Sequence, residues 1–338
     1  MRNGAEETTV GELGEAGVLA RILDRLGPSA SAVLGPGDDC AVLGFGGDAV
    51  ITTDTMVEGP DFRLAWHGGF ELGRKLAATN LSDVAAMGAR PTALTVALAC
   101  PADTPVALLE EIAAGLDAAC QELAPGCGVV GGDLGRAPVL MAAVTALGDL
   151  EGRAPVRRDG ARAGETVCYA GQLGLAGLGL SLLFAECAEA GVAHRRGLAE
   201  LRERHPAAVG AQLAPAPPIA LGAAAALAGA SAMMDVSDGL ALDAARIARA
   251  SDISLDLDPA LLEAGFGVQQ GQRVPLDAML FGGEDHGLLA CFPPDAEPPA
   301  GFLPIGAVRA RAAGGALLLA GAACEPRGWD PFVSRVPG

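Results

Sequence analysis

A single lysine, Lys75, occurs in this chain of 338 residues. Without the run GxxxxGK[ST] there is no P-loop lysine to grip a nucleotide phosphate. No GxGxxG joins a strand to a helix, which argues against a dinucleotide fold. The four histidines (67, 194, 205 and 286) form no HExxH, and no serine stands in a GxSxG elbow. Zinc and hydrolase chemistry thus lose their usual material. Basic residues number 23 against 41 acidic ones, a formal net charge of −18. So acidic a chain is a poor partner for nucleic acid, and the ordinary use of the charge is solubility. The eight cysteines contain no CxxC pair and several lie in apolar runs, such as "ETVCYAG" and "GLLACFPP". Reduced, buried thiols in an intracellular, cytoplasmic protein are expected, not a disulfide framework. The N-terminus "MRNGAEETTVGELGEAG" has no signal-peptide core. The longest apolar run, Ile219 to Met234, is too short and too rich in Ala and Gly to span a bilayer.

What is present is a globular composition, 51% hydrophobic. The length predicts two domains. The charged, Gly- and Pro-rich stretch "EGRAPVRRDGARAGE" places their boundary near 150–165, giving domains over 1–152 and 153–338. Helical spacing predicts a first helix near Val18–Leu26. Helices follow over 68–88 and in "TPVALLEEIAAGLDAACQEL". Strands are expected in "CAVLGF", "AVITTDT", "RPTALTVALACP", "CGVVGGD" (breaking into a glycine loop) and "PVLMAAVTALGDL". The second half reads as "TVCYAGQLG" (strand), a helix near 174–190, a polar segment over 191–218, an Ala-rich helix, the strand "SAMMDVSDG", a helix from about Leu240 to Ser251, and the strands "ISLDLD", "GLLACFPP", "FLPIGAVRA" and "GALLLAG". This alternation predicts a mixed α/β (α+β) fold.

Carboxylates recur where apolar strands meet glycine or turns. Asp38 and Asp39 lie in "GPGDDC", Asp54 in "VITTDT", Asp83 in "NLSD", Asp133 in "VVGGD", Asp235 and Asp238 in "DVSDG", and Glu284 and Asp285 in "FGGEDH". Any one of them alone reads as a turn residue or a helix cap. Six repetitions point further, because carboxylates converging from neighbouring strand ends must be neutralised. With one lysine available, Mg²⁺ or Ca²⁺ is the economical partner, and Mg²⁺ bridges readily to phosphates. Thr52 and Thr53 can add oxygen ligands. Glycines in "GGDLG" and "GGED" let the backbone approach an anion. Arg74, Arg136, Arg157 and Arg158 are candidate phosphate forks.

The pieces "GELGEAGVLARIL", "GPGDDCAVL", "TTDTMVEG", "LAATNLSDVAAMGARPTAL", "VVGGD", "VRRDGARAGE", "MMDVSDGLALD", "GGED" and "GWD" run in one order over nearly the whole chain. In them the sequence resembles the thiamine-monophosphate kinases of the aminoimidazole-ribonucleotide-synthetase-like superfamily. The resemblance implies two α/β domains, with N-terminal domains paired across a homodimer. It implies several Mg²⁺ ions, ATP as co-substrate and thiamine monophosphate as acceptor. It implies metal ligation by Asp39, Thr52, Thr53, Asp54, Asp83, Asp133, Asp235 and Asp238, with Asp54, Asp133 and Asp235 central to catalysis. Gly132, Arg158 and Ser237 would contact ATP, and Glu284 the acceptor, as would the residue at position 61. The expected chemistry is direct in-line attack by the acceptor's phosphate on the γ-phosphorus, with no general base.

Several positions depart from the family pattern. Asp61 replaces the His of "VEGxHF", Leu134 and Gly135 replace two hydroxyls, and His286, Gly287 and Pro331 are further changes. Two other readings stand beside the kinase. One is a relative that activates a different acceptor, although selenide chemistry lacks its N-terminal cysteine and hydrogenase maturation its cysteine tail. The other is a protein that binds ATP or thiamine phosphates without turnover, which Asp61 motivates and the complete carboxylate set opposes. An acidic metal buffer is excluded by the absence of an EF-hand loop.

Overall fold

The structure, a computed structural model, describes residues 8–36, 40–311 and 315–329. Helix α1 (Val10–Leu23) leads to a short ribbon of β1 (Ala32–Leu34) and β2 (Val42–Leu43). Then come β3 (Ala49–Val57), α2 (Gly69–Ala86), β4 (Arg90–Cys100), α3 (Val106–Leu123), β5 (Gly128–Arg136) and β6 (Met141–Asp149). The four long strands form one sheet in the order β3-β6-β4-β5. Only β4 and β5 run parallel, because α3 returns the chain between them. Helices α2 and α3 cover one face of this sheet. On the other face Ile51 is 70% exposed.

The second half contains β7 (Thr166–Ala170), α4 (Leu175–Glu186), β8 (Ala188–Glu189), β9 (Val192–Ala193), α5 (Leu198–Arg204), α6 (Pro206–Leu213) and α7 (Ala220–Leu227). It continues with β10 (Ala232–Val236), α8 (Leu240–Ala250), β11 (Ile253–Leu257), α9 (Pro259–Phe266), β12 (Val268–Gln269), β13 (Gln272–Arg273) and α10 (Leu276–Phe281). It closes with β14 (Gly287–Phe292), β15 (Phe302–Ala310), β16 (Leu317–Leu319) and β17 (Ala322–Ala323). Seven of these strands make the second sheet, β10-β14-β7-β15-β11-β16-β17. β7, β10 and β14 are mostly apolar and buried almost throughout, as strands covered on both faces should be, with Asp235 the one carboxylate among them.

α2 is the centre of the molecule. Of its 18 residues, 14 are buried. Its first turns cross α3 at a pair of glycines. A Cβ on Gly73 would lie 2.0 Å from the Ile112 carbonyl oxygen, and one on Gly115 would lie 2.1 Å from that of Phe70. Its last turn meets α7, where a Cβ on Gly222 would fall 2.0 Å from the Ala85 oxygen. A helix enclosed on every side carries its polar residues inside the protein, and here these include Lys75, Thr79, Asn80 and Ser82.

Three local differences from the sequence reading have physical causes. α1 starts earlier, at Val10, where the Glu12 carboxylate accepts hydrogen bonds from both the amide and the hydroxyl of Thr9, and it is kinked at Gly14, whose φ of 75° lies outside the helical region. β5 continues through "GGD" instead of ending there, so Asp133 lies within the strand. Gly132 serves close strand approach: a Cβ there would sit 2.1 Å from the Val96 oxygen. Cys40 is exposed and outside any strand, whereas six of the other cysteines are buried.

Candidate active site

Alternation along β3 turns Thr52 and Asp54 toward α2 and Thr53 away from it. Asp83 on α2 accepts a hydrogen bond from the Thr52 hydroxyl, 2.9 Å. From the other half, Asp235 ends β10 and accepts from the Ser82 hydroxyl on α2, 3.2 Å. Burial raises the pKa of Asp54, and Asp235 and Asp238 raise it further. Asp83 is pushed to about 7, by burial first and then by Asp235 and Asp54. Thus Asp54, Asp83, Asp235 and Asp238, from three separate segments, press on one another electrostatically. The described side chains do not form a ready cage of three or more His, Cys, Asp or Glu around one point. Asp238 is instead held by Arg246 at 2.7 Å, and Arg246 also pairs with buried Asp243.

The other candidates lie elsewhere. Asp39 is outside the described residues, as are Asp38 and Pro331. Asp133 is on β5, the edge opposite β3, three interstrand spacings or about 14 Å from the Asp54 strand. Strand register turns it, like Thr53, to the side away from α2. Gly132 and Asp133 border a largely apolar cavity of about 290 Å³ between α1, α3 and β5. Arg158 is exposed, and its carbonyl accepts from the Ser251 hydroxyl at 2.8 Å. Arg74 and Arg157 pair with Glu122 and Asp159. Ser237 lies in the turn after β10, and its carbonyl receives the Glu284 amide at 2.8 Å.

A second cavity, about 330 Å³, is lined by Asp61, Arg63, Phe184, Phe281, Glu284 and Trp329, among others. Glu284 and His286 sit in a left-handed backbone conformation, φ 69° and 55°. Gly283 allows this turn to press on the end of β10, since a Cβ there would lie 2.4 Å from the Ser237 oxygen. The Glu284 carboxylate takes a salt bridge from Lys75 at 2.8 Å and a hydrogen bond from the Gln212 amide at 2.5 Å. Burial works against its charge, yet Lys75 and Gln212 outweigh burial and hold its pKa below the usual value. Asp61 accepts from the Val57 amide at 2.8 Å. Its pKa is raised by burial, with Glu284 contributing. Arg63 stacks over Trp66 and Phe184, 5.0 and 4.6 Å from the ring centroids. His286, two residues beyond Glu284 in the same turn, reaches the carboxylates: Nε2 lies 3.2 Å from the Thr79 hydroxyl and Nδ1 3.6 Å from Asp235.

The sequence reading did not select Lys75, Gln212, Arg63 or Trp329 for the site. Lys75 carried a usable signal, being the one lysine and lying in a helix otherwise rich in small and apolar residues. Gln212 and Arg63 carried none, because their roles depend on contacts between distant segments. Asp285 also has a task of its own. It caps α4, accepting from the amides of Gly174 at 2.6 Å and Ala176 at 2.8 Å.

Residues 37–150 match the family described as AIR synthase related protein, N-terminal domain. The chain is 40% identical over 309 residues to thiamine-monophosphate kinase of Mycobacterium tuberculosis, covering 90% of this chain and 87% of the relative. Among solved structures it resembles thiamine-monophosphate kinase from Stenotrophomonas maltophilia, with a TM-score of 0.71 and 30% identity over 91% of this chain and 95% of the other. It also resembles AaThiL complexed with AMPPCP and TMP, with a TM-score of 0.70 and 28% identity over 96% of this chain and 99% of the other.

Proposed function

The chain belongs to the thiamine-monophosphate kinase family, and from that premise we propose how its residues carry out the reaction. It is an ATP-dependent kinase that phosphorylates thiamine monophosphate to the diphosphate. The observation that carries the assignment to this geometry is adjacency. A cavity of acceptor size has Glu284 in its wall, and two residues further along the same turn His286 Nδ1 lies 3.6 Å from Asp235 of the buried carboxylate group.

The acceptor's ring system occupies the cavity of about 330 Å³, its cationic thiazolium facing Glu284 and Asp61 and its flat faces against Phe281 and Trp329. Its phosphate points toward Asp54, Asp83 and Asp235. The nucleotide lies against Gly132, Arg158 and Ser237, with the largely apolar cavity between α1, α3 and β5 taking the base. An oxygen of the acceptor phosphate attacks the γ-phosphorus in line. That P–O bond forms while the bond from the γ-phosphorus to the ADP oxygen breaks. The attacking oxygen is already ionised near neutrality, so the protein needs no general base. Its task is alignment and charge neutralisation.

The donors suit Mg²⁺: they are hard carboxylate and hydroxyl oxygens, and Asp83 is held near pH 7 by burial and its neighbours' negative charge. Thr52, Asp54, Asp83, Asp235 and Asp238 would hold the ions; Asp39, which the family resemblance adds to the set, lies outside the described residues. Bound there, Mg²⁺ neutralises the approaching phosphates. Thr53 and Asp133 face the other side of the sheet. Their part in the ligand set depends on a second protomer, and a homodimer paired through that face would supply one. The two sheets would then be two domains, 1–152 for metal, nucleotide and pairing, and 153–338 completing the nucleotide and acceptor sites.

The test is turnover. Protein, Mg-ATP and thiamine monophosphate are incubated, and the diphosphate is separated and quantified, with thiamine and an EDTA-treated sample alongside. Diphosphate formation only from the monophosphate, and only with metal, is expected. ATP binding without product would overturn the kinase reading in favour of a binding protein or a changed acceptor.

A further inference from the structure

The lone lysine is used inside the protein, not on its surface. The Lys75 side chain has 0% exposure, and its ammonium contacts two groups from the second half of the chain. These are Glu284 Oε1 at 2.8 Å and the Gln212 carbonyl at 3.3 Å. Gln212 in turn donates its side-chain amide to Glu284 Oε2 at 2.5 Å. Each carboxylate oxygen therefore has one fixed donor behind it, while 30% of the Glu284 side chain remains open to the cavity. A carboxylate on a left-handed backbone turn, gripped from α2 and α6, has one direction left in which to accept a contact.

We propose that Lys75 is a positioning residue for the acceptor, acting through Glu284. With Gln212 it keeps Glu284 ionised and its free lone pairs aimed into the cavity, so that the site selects a cationic, nitrogen-bearing ring. This rests on the assignment of that cavity to the acceptor. The charged and titratable groups facing Glu284 are Lys75 from α2, Asp61, Arg63 and the buried His67 from the loop after β3, and His286 from its own turn. Among the described residues, Lys75 is the one cation bonded to it. Removing that cation leaves burial to favour the neutral acid, which presents a proton to the ring where a lone pair is required.

The test is a four-protein cycle: wild type, Lys75→Met, Glu284→Gln and the double variant. KM for thiamine monophosphate and for ATP is measured in each between pH 6 and 9. Lys75→Met is expected to raise KM for the acceptor about tenfold or more, with KM for ATP nearly unchanged. The defect should shrink as pH rises and Glu284 ionises. In the Glu284→Gln background Lys75→Met should add nothing further. Additive effects, or an acceptor KM within twofold of wild type in folded Lys75→Met, would overturn the proposal. If Lys75→Met does not fold, the neutral double variant decides: an acceptor KM matching Glu284→Gln supports it and a further rise refutes it. Wild-type turnover on thiamine monophosphate checks the assignment of function independently. If the wild type gives none, the same cycle is read by calorimetric binding of thiamine monophosphate, with the same pattern supporting the proposal and additivity refuting it.

Discussion

Replacing Asp285 by asparagine makes a buried charge measurable. The Asp285 carboxylate is enclosed and bonded to the Gly174 and Ala176 amides, capping α4. Burial raises its pKa from 3.8 to about 6, against the lowering effect of those amides. The folded protein thus holds a proton here that the unfolded chain has already released. The contribution of Asp285 to stability is fullest below about pH 4 and declines as pH rises to about 6, after which it is level. Two pKa units correspond to about 3 kcal/mol. The amide introduced by Asp285→Asn does not titrate, so the stability of wild type minus that of the variant should fall by about 3 kcal/mol between pH 4 and pH 7. Urea unfolding of both proteins at four or five pH values gives the difference, and other carboxylates cancel in it. A difference independent of pH would show that this carboxyl keeps its ordinary pKa and that burial does not dominate here. A difference growing with pH would reverse the argument.

Other expectations follow from the same structure. Asp54→Ala and Asp235→Ala should each lower kcat by at least about 100-fold in the turnover assay, while circular dichroism stays native; near-normal turnover in either would remove the shared carboxylate account. Gly73→Ala forces a methyl toward the Ile112 carbonyl, which is backbone and cannot swing aside. It should cost about 1–3 kcal/mol or more in urea unfolding. The proposed pairing through the face of the four-stranded sheet that bears Ile51 predicts a wild-type dimer by light scattering and a monomer for Ile51→Lys; a wild-type monomer, or an unchanged dimer in the variant, would refute pairing through this face.

Most of the fold was legible because its signals are local. "LAATNLSDVAAMG" reads as a helix, and the runs at β4, β6, β7 and β10 read as strands, since each has a period and a punctuation mark. α9 was overlooked although Asp258 and Pro259 are an ordinary start signal, and the Asp258 carboxylate does accept from the Ala260 amide at 2.8 Å. The glycines of "VVGGD" misled for the opposite reason: they serve close strand approach, and nothing local distinguishes that from a loop. In the site, acidic residues at strand ends could be picked out one by one. Which of them share a space could not, because Asp54 and Asp133 sit at similar strand-borne places in sequence and at opposite edges of one sheet. In the sequence Asp61 stands out only as a departure from the family's histidine. The structure sets it beside Glu284 and Arg63 in the aromatic-lined cavity, a setting suited to a cationic ring.

Helix α2 bears on one more property of the site. Lys75, which grips Glu284 at the aromatic-lined cavity, and Asp83, which lies among the carboxylates, stand eight residues apart on one rigid element, about 12 Å along its axis. With α2 enclosed by both halves of the protein, that spacing cannot stretch without unpacking the core. In the proposed binding mode the helix is a ruler that gauges the acceptor by length. A molecule anchored by its ring at one end must carry its phosphorus at the right distance to meet the other. Selectivity for the acceptor is then partly a matter of span, fixed in the protein's interior rather than by loops that could adjust to a longer or shorter guest.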